Sequence, residues 1–247
     1  MSTVLEAPVA ARATYPYDRV FYSGLAIVMA LTVIAGFGPT YYFRAYANTP
    51  TFSGLTELPP LLHLHGLLFT AWVALFIAQT QLVARRQLAT HRKLGMASVG
   101  LAVAIVAVGW QTAVGAGRRG AAPPGLDSIT FLVVPIFDIL LFAVFVTAAI
   151  LQRRNKEAHK RLMILAYASI MPAAVARLPG VMPLGPFGFF GLAFLFAVAG
   201  MMYDVFSRRR VHPVYVWGGL LFAVSVPGRL MLSGTAAWHA FAEAITR

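Results

Sequence analysis

The chain contains no cysteine, which excludes disulfides, thiolate metal sites and cysteine nucleophiles together, and leaves the compartment unreadable from redox chemistry. Charge is nearly as scarce. Only 11% of the residues are Asp, Glu, Lys or Arg while 59% are hydrophobic, against roughly a quarter charged in a soluble domain. Lysine occurs three times, at Lys93, Lys156 and Lys160, always in the basic turns at the ends of apolar runs, so no span offers an interior amine for a retinal Schiff base. The motifs of zinc peptidases, P-loop nucleotide sites and serine hydrolases are missing. Six histidines spread over five regions are too few for the His boxes of a membrane di-iron oxygenase.

What is present is apolar length. Mean hydropathy is +0.74, and seven runs approach the roughly 20 residues a membrane helix needs. They lie near Val20–Phe43, Pro60–Ala84, Lys93–Ala116, Ser128–Leu151, His159–Leu178, Pro186–Phe206 and His212–Leu232. The first is too long for a signal-peptide core and reads as a retained span. Lipid offers no partner to an open sheet edge, and the runs lack period-two alternation. The expectation is an all-α, polytopic bundle of seven transmembrane helices. It comprises an N-terminal cytoplasmic segment 1–19, a transmembrane domain 20–232 and an interfacial tail 233–247.

The net charge of +12 does not point to nucleic acid, because the basic residues sit in short connections and form no continuous face. Two arginines precede a histidine by the same offset in RRQLATHRKLG (85–95) and RRNKEAHKRLM (153–163), with a looser copy, SRRRVHPVYVW, from Ser207. With Arg12 and Arg19, these turns place fourteen of the twenty Lys and Arg on one face. The positive-inside rule then puts the N-terminus inside and the C-terminus outside. The same basic turns suit anionic lipid headgroups as partners.

Ionisable groups within lipid are costly and usually face a bundle interior. Asp138 lies about ten residues into the fourth run, near the midplane, and Arg177 and Arg229 lie toward the outer face. Each follows a proline, at Pro135, Pro172 and Pro227, and helix prolines open kinks. His63 and His65 open the second run after Pro59–Pro60. Residues two apart point about 200° apart on a helix, and His65, beside Gly66, is the better candidate to face the bundle. These five residues outline an outer-half ligand pocket; the alternative is a buried structural Asp–Arg pair with headgroup-level histidines. His91 and His159 both open inside-to-outside runs, at similar depth. Two neutral imidazoles there could hold a b-type haem or part of a metal site, with Arg92, Lys93, Lys160 and Arg161 facing propionates. The alternative is a lipid anchor.

The stretch HLHGLLFTAWVALFIAQTQLVARRQLATHRKLG, followed by EAHKRLMILA, resembles a group of bacterial multi-pass membrane proteins that carry HxHG, HRxLG and HKRLM blocks. That likeness, over roughly residues 59–170, implies the bacterial inner membrane. A weaker likeness is to cytochrome b561-type diheme proteins, whose histidine pairs on alternate helices imply haem at His91 and His159. The chain departs from that pattern on the other face, where His65 has no histidine partner in the fourth run.

Three functions follow as expectations. One is a haem or metal electron-transfer protein using His91 and His159, with His65 near an outer redox partner. Another is a cofactor-free carrier or sensor using the outer pocket. The last is a packing subunit of a larger membrane complex.

Overall fold

The computed structural model describes residues 17–47, 55, 57–123 and 125–247. Most of the 1–19 segment, with Arg12, and much of the 44–59 loop lie outside the described residues. Those that are described form helices and turns, with no strand. The helices are α1 (Asp18–Phe37), α2 (Pro60–Ala84), α3 (Leu88–Arg118), α4 (Val133–Leu151), α5 (Lys156–Ile170), α6 (Gly185–Arg208), α7 (Pro213–Ser233) and α8 (Ala236–Thr246). Single-turn helices at Arg44–Ala47, Ser128–Phe131 and Pro172–Val175 join them.

Six stretches are long and apolar enough to cross a membrane: Asp18–Tyr42, Pro60–Ala84, Leu88–Arg118, Ser128–Leu151, Met182–Arg208 and Pro213–Ser233. The chain is therefore a multi-pass, all-helical membrane protein. Large apolar side chains such as Leu31, Leu67, Val103, Leu195 and Val224 remain on its outside, as contact with lipid tails requires.

The fifth expected span differs from the rest. α5 has 15 residues, about 22 Å at 1.5 Å per residue, short of a hydrocarbon core of roughly 30 Å. It opens on charged residues and breaks at Met171, before Pro172, whose ring nitrogen cannot donate. Its side chains are enclosed: Ile164, Leu165, Ala166, Tyr167 and Ala168 are all at most 1% exposed. α5 is the bundle's central pillar, packed by α4, α6 and α7.

Local signals fix the ends. Pro60 and Pro213 open α2 and α7, where a missing N–H costs nothing. The Asn155 side chain accepts from the N–H groups of Glu157 and Ala158 at 3.2 Å each, capping α5. Asp127 accepts from Thr130 N–H at 2.7 Å, and that bond holds its carboxyl below the usual range. Thr235 starts α8 as a separate helix by accepting from Trp238 N–H at 3.2 Å. Trp238 Nε1 then donates to Ile129 O at 2.9 Å, docking α8 on the Ser128–Phe131 turn. Close approach also shapes the bundle: Gly36 of α1 lies against the backbone of Ala174, with no room for a Cβ.

Of the three prolines expected to kink helices, two sit at breaks. Pro135 falls in the first turn of α4, after an interruption at Leu132, and Pro172 follows the one at Met171. Pro227 lies within a continuous α7.

An ion network ties the basic-turn ends of α1, α5 and α6. Arg161 and Asp204 are both fully buried and doubly bonded, with Arg161 Nε donating to Asp204 Oδ2 at 2.8 Å and Nη2 to Oδ1. Arg161 also reaches Glu157 (2.9 Å), Lys160 reaches Asp18 (2.6 Å) and Glu157 (2.9 Å), and Arg208 reaches Asp18 (2.8 Å). The two copies of the basic repeat thus have different fates. Arg92 and Lys93 are exposed, whereas Lys160 and Arg161 are paired with carboxylates within the protein.

Candidate functional site

At the end of the bundle opposite the basic turns lies a cavity of about 630 Å³. Its walls come from α1 to α7, from the π-helical turn Gly38–Tyr42 that extends α1, and from residues 121–123 and 126 of the loop after α3. Pro39 within that turn lacks an N–H, and such single π turns often accompany functional sites. Most of the wall is apolar, with Val33, Phe37, Phe69, Ile139 and Phe189 among its residues.

Three of the five residues expected in an outer pocket line this chamber: His65, Asp138 and Arg177. His65 stacks on Phe69 with ring centroids 4.2 Å apart. Asp138 Oδ1 accepts from Arg229 Nη1 at 2.5 Å. The rest of its side chain, 11% exposed, borders the cavity. Arg229 itself is fully buried, bonded through Nε to Ser225 O (3.2 Å) and through Nη2 to Ser225 Oγ (3.0 Å). Its guanidinium also lies over the rings of Phe190 and Phe137. The structural Asp–Arg pair and the pocket, posed as alternatives from the sequence, therefore coexist. Arg177 donates to Ala173 O at 2.5 Å and lies over Phe37, 4.5 Å from the ring centroid.

His63 does not join them. It is exposed and outside the cavity lining, and its carbonyl accepts from Tyr41 OH at 3.3 Å. The two-residue spacing turns it away when His65 faces in. The Tyr41 ring fills the space beside Gly66, so the close approach that Gly66 allows is made by the extension of α1.

Three cavity residues lie beyond the sequence reading. Thr40 Oγ1, Thr112 Oγ1 and Tyr167 OH are buried without a hydrogen-bond partner, as is His65 Nδ1. All four residues line the chamber. Hydroxyls are common in membrane helices, and nothing in their spacing marks these.

The chain matches no protein-family model, no curated protein and no solved structure.

At the opposite end His91 and His159 do approach, with ring centroids 6.4 Å apart and planes at 80°. The hydrogen bonds around them set opposite tautomers. His159 Nδ1 donates to Ala149 O at 2.8 Å, leaving its Nε2 lone pair free. Gln79, oriented so that its oxygen accepts from Gly95 N–H (2.9 Å), donates to His91 Nδ1 at 2.6 Å. With the amide in that orientation the His91 proton is assigned to Nε2 and Nδ1 accepts from Gln79, so His159 Nε2 is the ring nitrogen of the pair left open. Among the described residues no cluster of three or more His, Asp or Glu could hold a metal ion. Gln79 instead joins α2 to α3, the helix-gluing role expected of amides in lipid.

Proposed function

We propose that this chain is a bacterial inner-membrane protein that binds a small molecule in the outer half of its bundle, as a carrier or sensor. In this reading the chain crosses seven times, the six long helices plus α5 with its continuation through Val175, and runs from a cytoplasmic N-terminus to an outer C-terminus. α8 lies at the outer interface and the exposed arginines of the basic turns face anionic headgroups. The observation that carries the reading is convergence: His65, Asp138 and Arg177, from separate segments, border one chamber. Its volume of about 630 Å³ falls in the range of small-molecule pockets, roughly 300–1,000 Å³.

Ala116 lies in the wall and is only half-buried, so Ala116→Trp fills the chamber without disturbing the tightly packed core. A small molecule should co-purify with the wild-type protein, be detected by mass spectrometry of an organic extract, and be lost from Ala116→Trp. Identical extracts from two equally folded proteins would remove the pocket from the argument.

Electron transfer through a b-haem at His91 and His159 is the competing reading, and their 6.4 Å spacing is what favours it. Given the hydrogen bonds on Gln79 and Ala149, we expect purified protein to show no Soret band, oxidised or dithionite-reduced. A Soret band abolished by both His91→Ala and His159→Ala would restore the redox reading.

A further inference from the structure

We infer that the ligand of this cavity is a neutral lipophile bearing carbonyl or hydroxyl oxygens, the chemistry shared by a quinone ring and a hydroxylated isoprenoid; the inference rests on the binding role proposed above.

Among the buried polar atoms without partners, four belong to residues of the cavity wall: Thr40 Oγ1, His65 Nδ1, Thr112 Oγ1 and Tyr167 OH. Leaving such an atom unpaired costs about 1–3 kcal/mol, and native proteins keep few of them. Here the residues that carry these four atoms line one chamber from four segments, the turn after α1, α2, α3 and α5, and a small side-chain rotation would bring each atom to its surface. Tyr167 is the most decisive, only 1% exposed, with its ring stacked on Phe76 at 4.6 Å between centroids. A bound molecule with its own hydrogen-bonding groups satisfies them together. Hydroxyls both donate and accept, so either a carbonyl or a hydroxyl oxygen is a suitable partner.

Charge narrows the class. The deepest charge in the wall is already compensated, because Asp138 is bound by Arg229, whose Nε and Nη2 are bonded to Ser225; of the wall's two arginines, Arg177 donates to Ala173 O and lies over Phe37, and Arg119 is exposed. A charged ligand would be desolvated among Val33, Phe37, Phe69 and Ile139 without a counter-charge left over from that pair. The apolar wall favours a largely hydrocarbon body, and the His65–Phe69 stack offers aromatic faces to a flat ring.

The test uses three probes of similar shape on full-length protein in detergent: menadione (neutral, two carbonyls), 2-methylnaphthalene (no oxygen) and 1-naphthoate (anionic). Binding is measured to the wild type, to Ala116→Trp and to the double variant Thr112→Val/Tyr167→Phe, which removes two hydroxyls with little change of shape. Menadione should bind the wild type and lose about tenfold in affinity or more in the double variant, as expected for lost hydrogen bonds. 2-Methylnaphthalene should bind both alike and more weakly, and 1-naphthoate no better. Without ligand the double variant should melt at the same or a higher temperature, since it removes unpaired polar atoms; a purely structural role for these hydroxyls would lower it. Tightest binding by 1-naphthoate, or menadione affinity equal in wild type and double variant, overturns the neutral-oxygen assignment and leaves the cavity reading standing. No difference between wild type and Ala116→Trp for any probe overturns both.

Discussion

Asp204→Ala should cost the protein about 3 kcal/mol or more of stability, the scale found when one partner of a buried ion pair is removed. Arg161 is fully buried, and the carboxylate that takes two of its donors is that of Asp204. Asp204 also accepts from the backbone N–H of His212 at 3.1 Å, so it joins α5 and α6 to the start of α7. The variant leaves a guanidinium deep in the protein with only Glu157, a partly exposed partner, to balance it. The measurement is the midpoint of thermal or SDS-induced unfolding in detergent. The double variant Arg161→Met/Asp204→Leu should recover most of the loss, because replacing both charges by apolar groups removes the desolvation cost as well as the attraction. A single variant as stable as the wild type would mean that Glu157 alone compensates Arg161.

Arg229→Met should be nearly as damaging and should act at the opposite end. It strips Asp138 of the cation bonded to it at 2.5 Å and leaves a carboxylate nine-tenths buried beside an apolar chamber. A loss of about 2–4 kcal/mol is expected, together with loss of ligand co-purification, since the wall of the cavity is rebuilt around the orphaned charge. Asp138→Leu introduced into the same protein should restore the unfolding midpoint without restoring the ligand. If Arg229→Met keeps both stability and ligand, the pair is dispensable and Asp138 has another partner.

Much of the architecture is readable from apolar length, because lipid forces every backbone group into a helix. The place where length says least is α5. Residues 159–178 read as one more span, and the structure adds a charged start and a break at Met171–Pro172 in a helix surrounded by protein, which needs no lipid-facing apolar surface. His65, Asp138 and Arg177 are legible as a group because ionisable residues in lipid seek the interior. Thr40, Thr112 and Tyr167 are not, because an unpartnered hydroxyl is a property of packing. The ion network is hidden for another reason: Asp18 and Lys160 are 142 residues apart, and the pairs that leave a local trace are Glu157–Lys160, Glu157–Arg161 and Asp204–Arg208. The basic repeat shows the limit of pattern. Its two copies share spacing, yet Lys93 is exposed and its counterpart Arg161 is, with Arg229, among the largest fully buried side chains of the described residues.

The enclosure of α5 also bears on how the protein is made. A segment that starts with Lys156, Glu157, Lys160 and Arg161 and has only 15 helical residues gains little by entering lipid alone. Its neighbour α4 lies in the most apolar of the six long stretches, with mean hydropathy 2.7, and joins it through the tight turn that Asn155 caps. If α5 crosses as proposed, its insertion depends on a hairpin in which α4 provides the driving force, and the pillar at the centre of the finished bundle is the element least able to enter the membrane unaided.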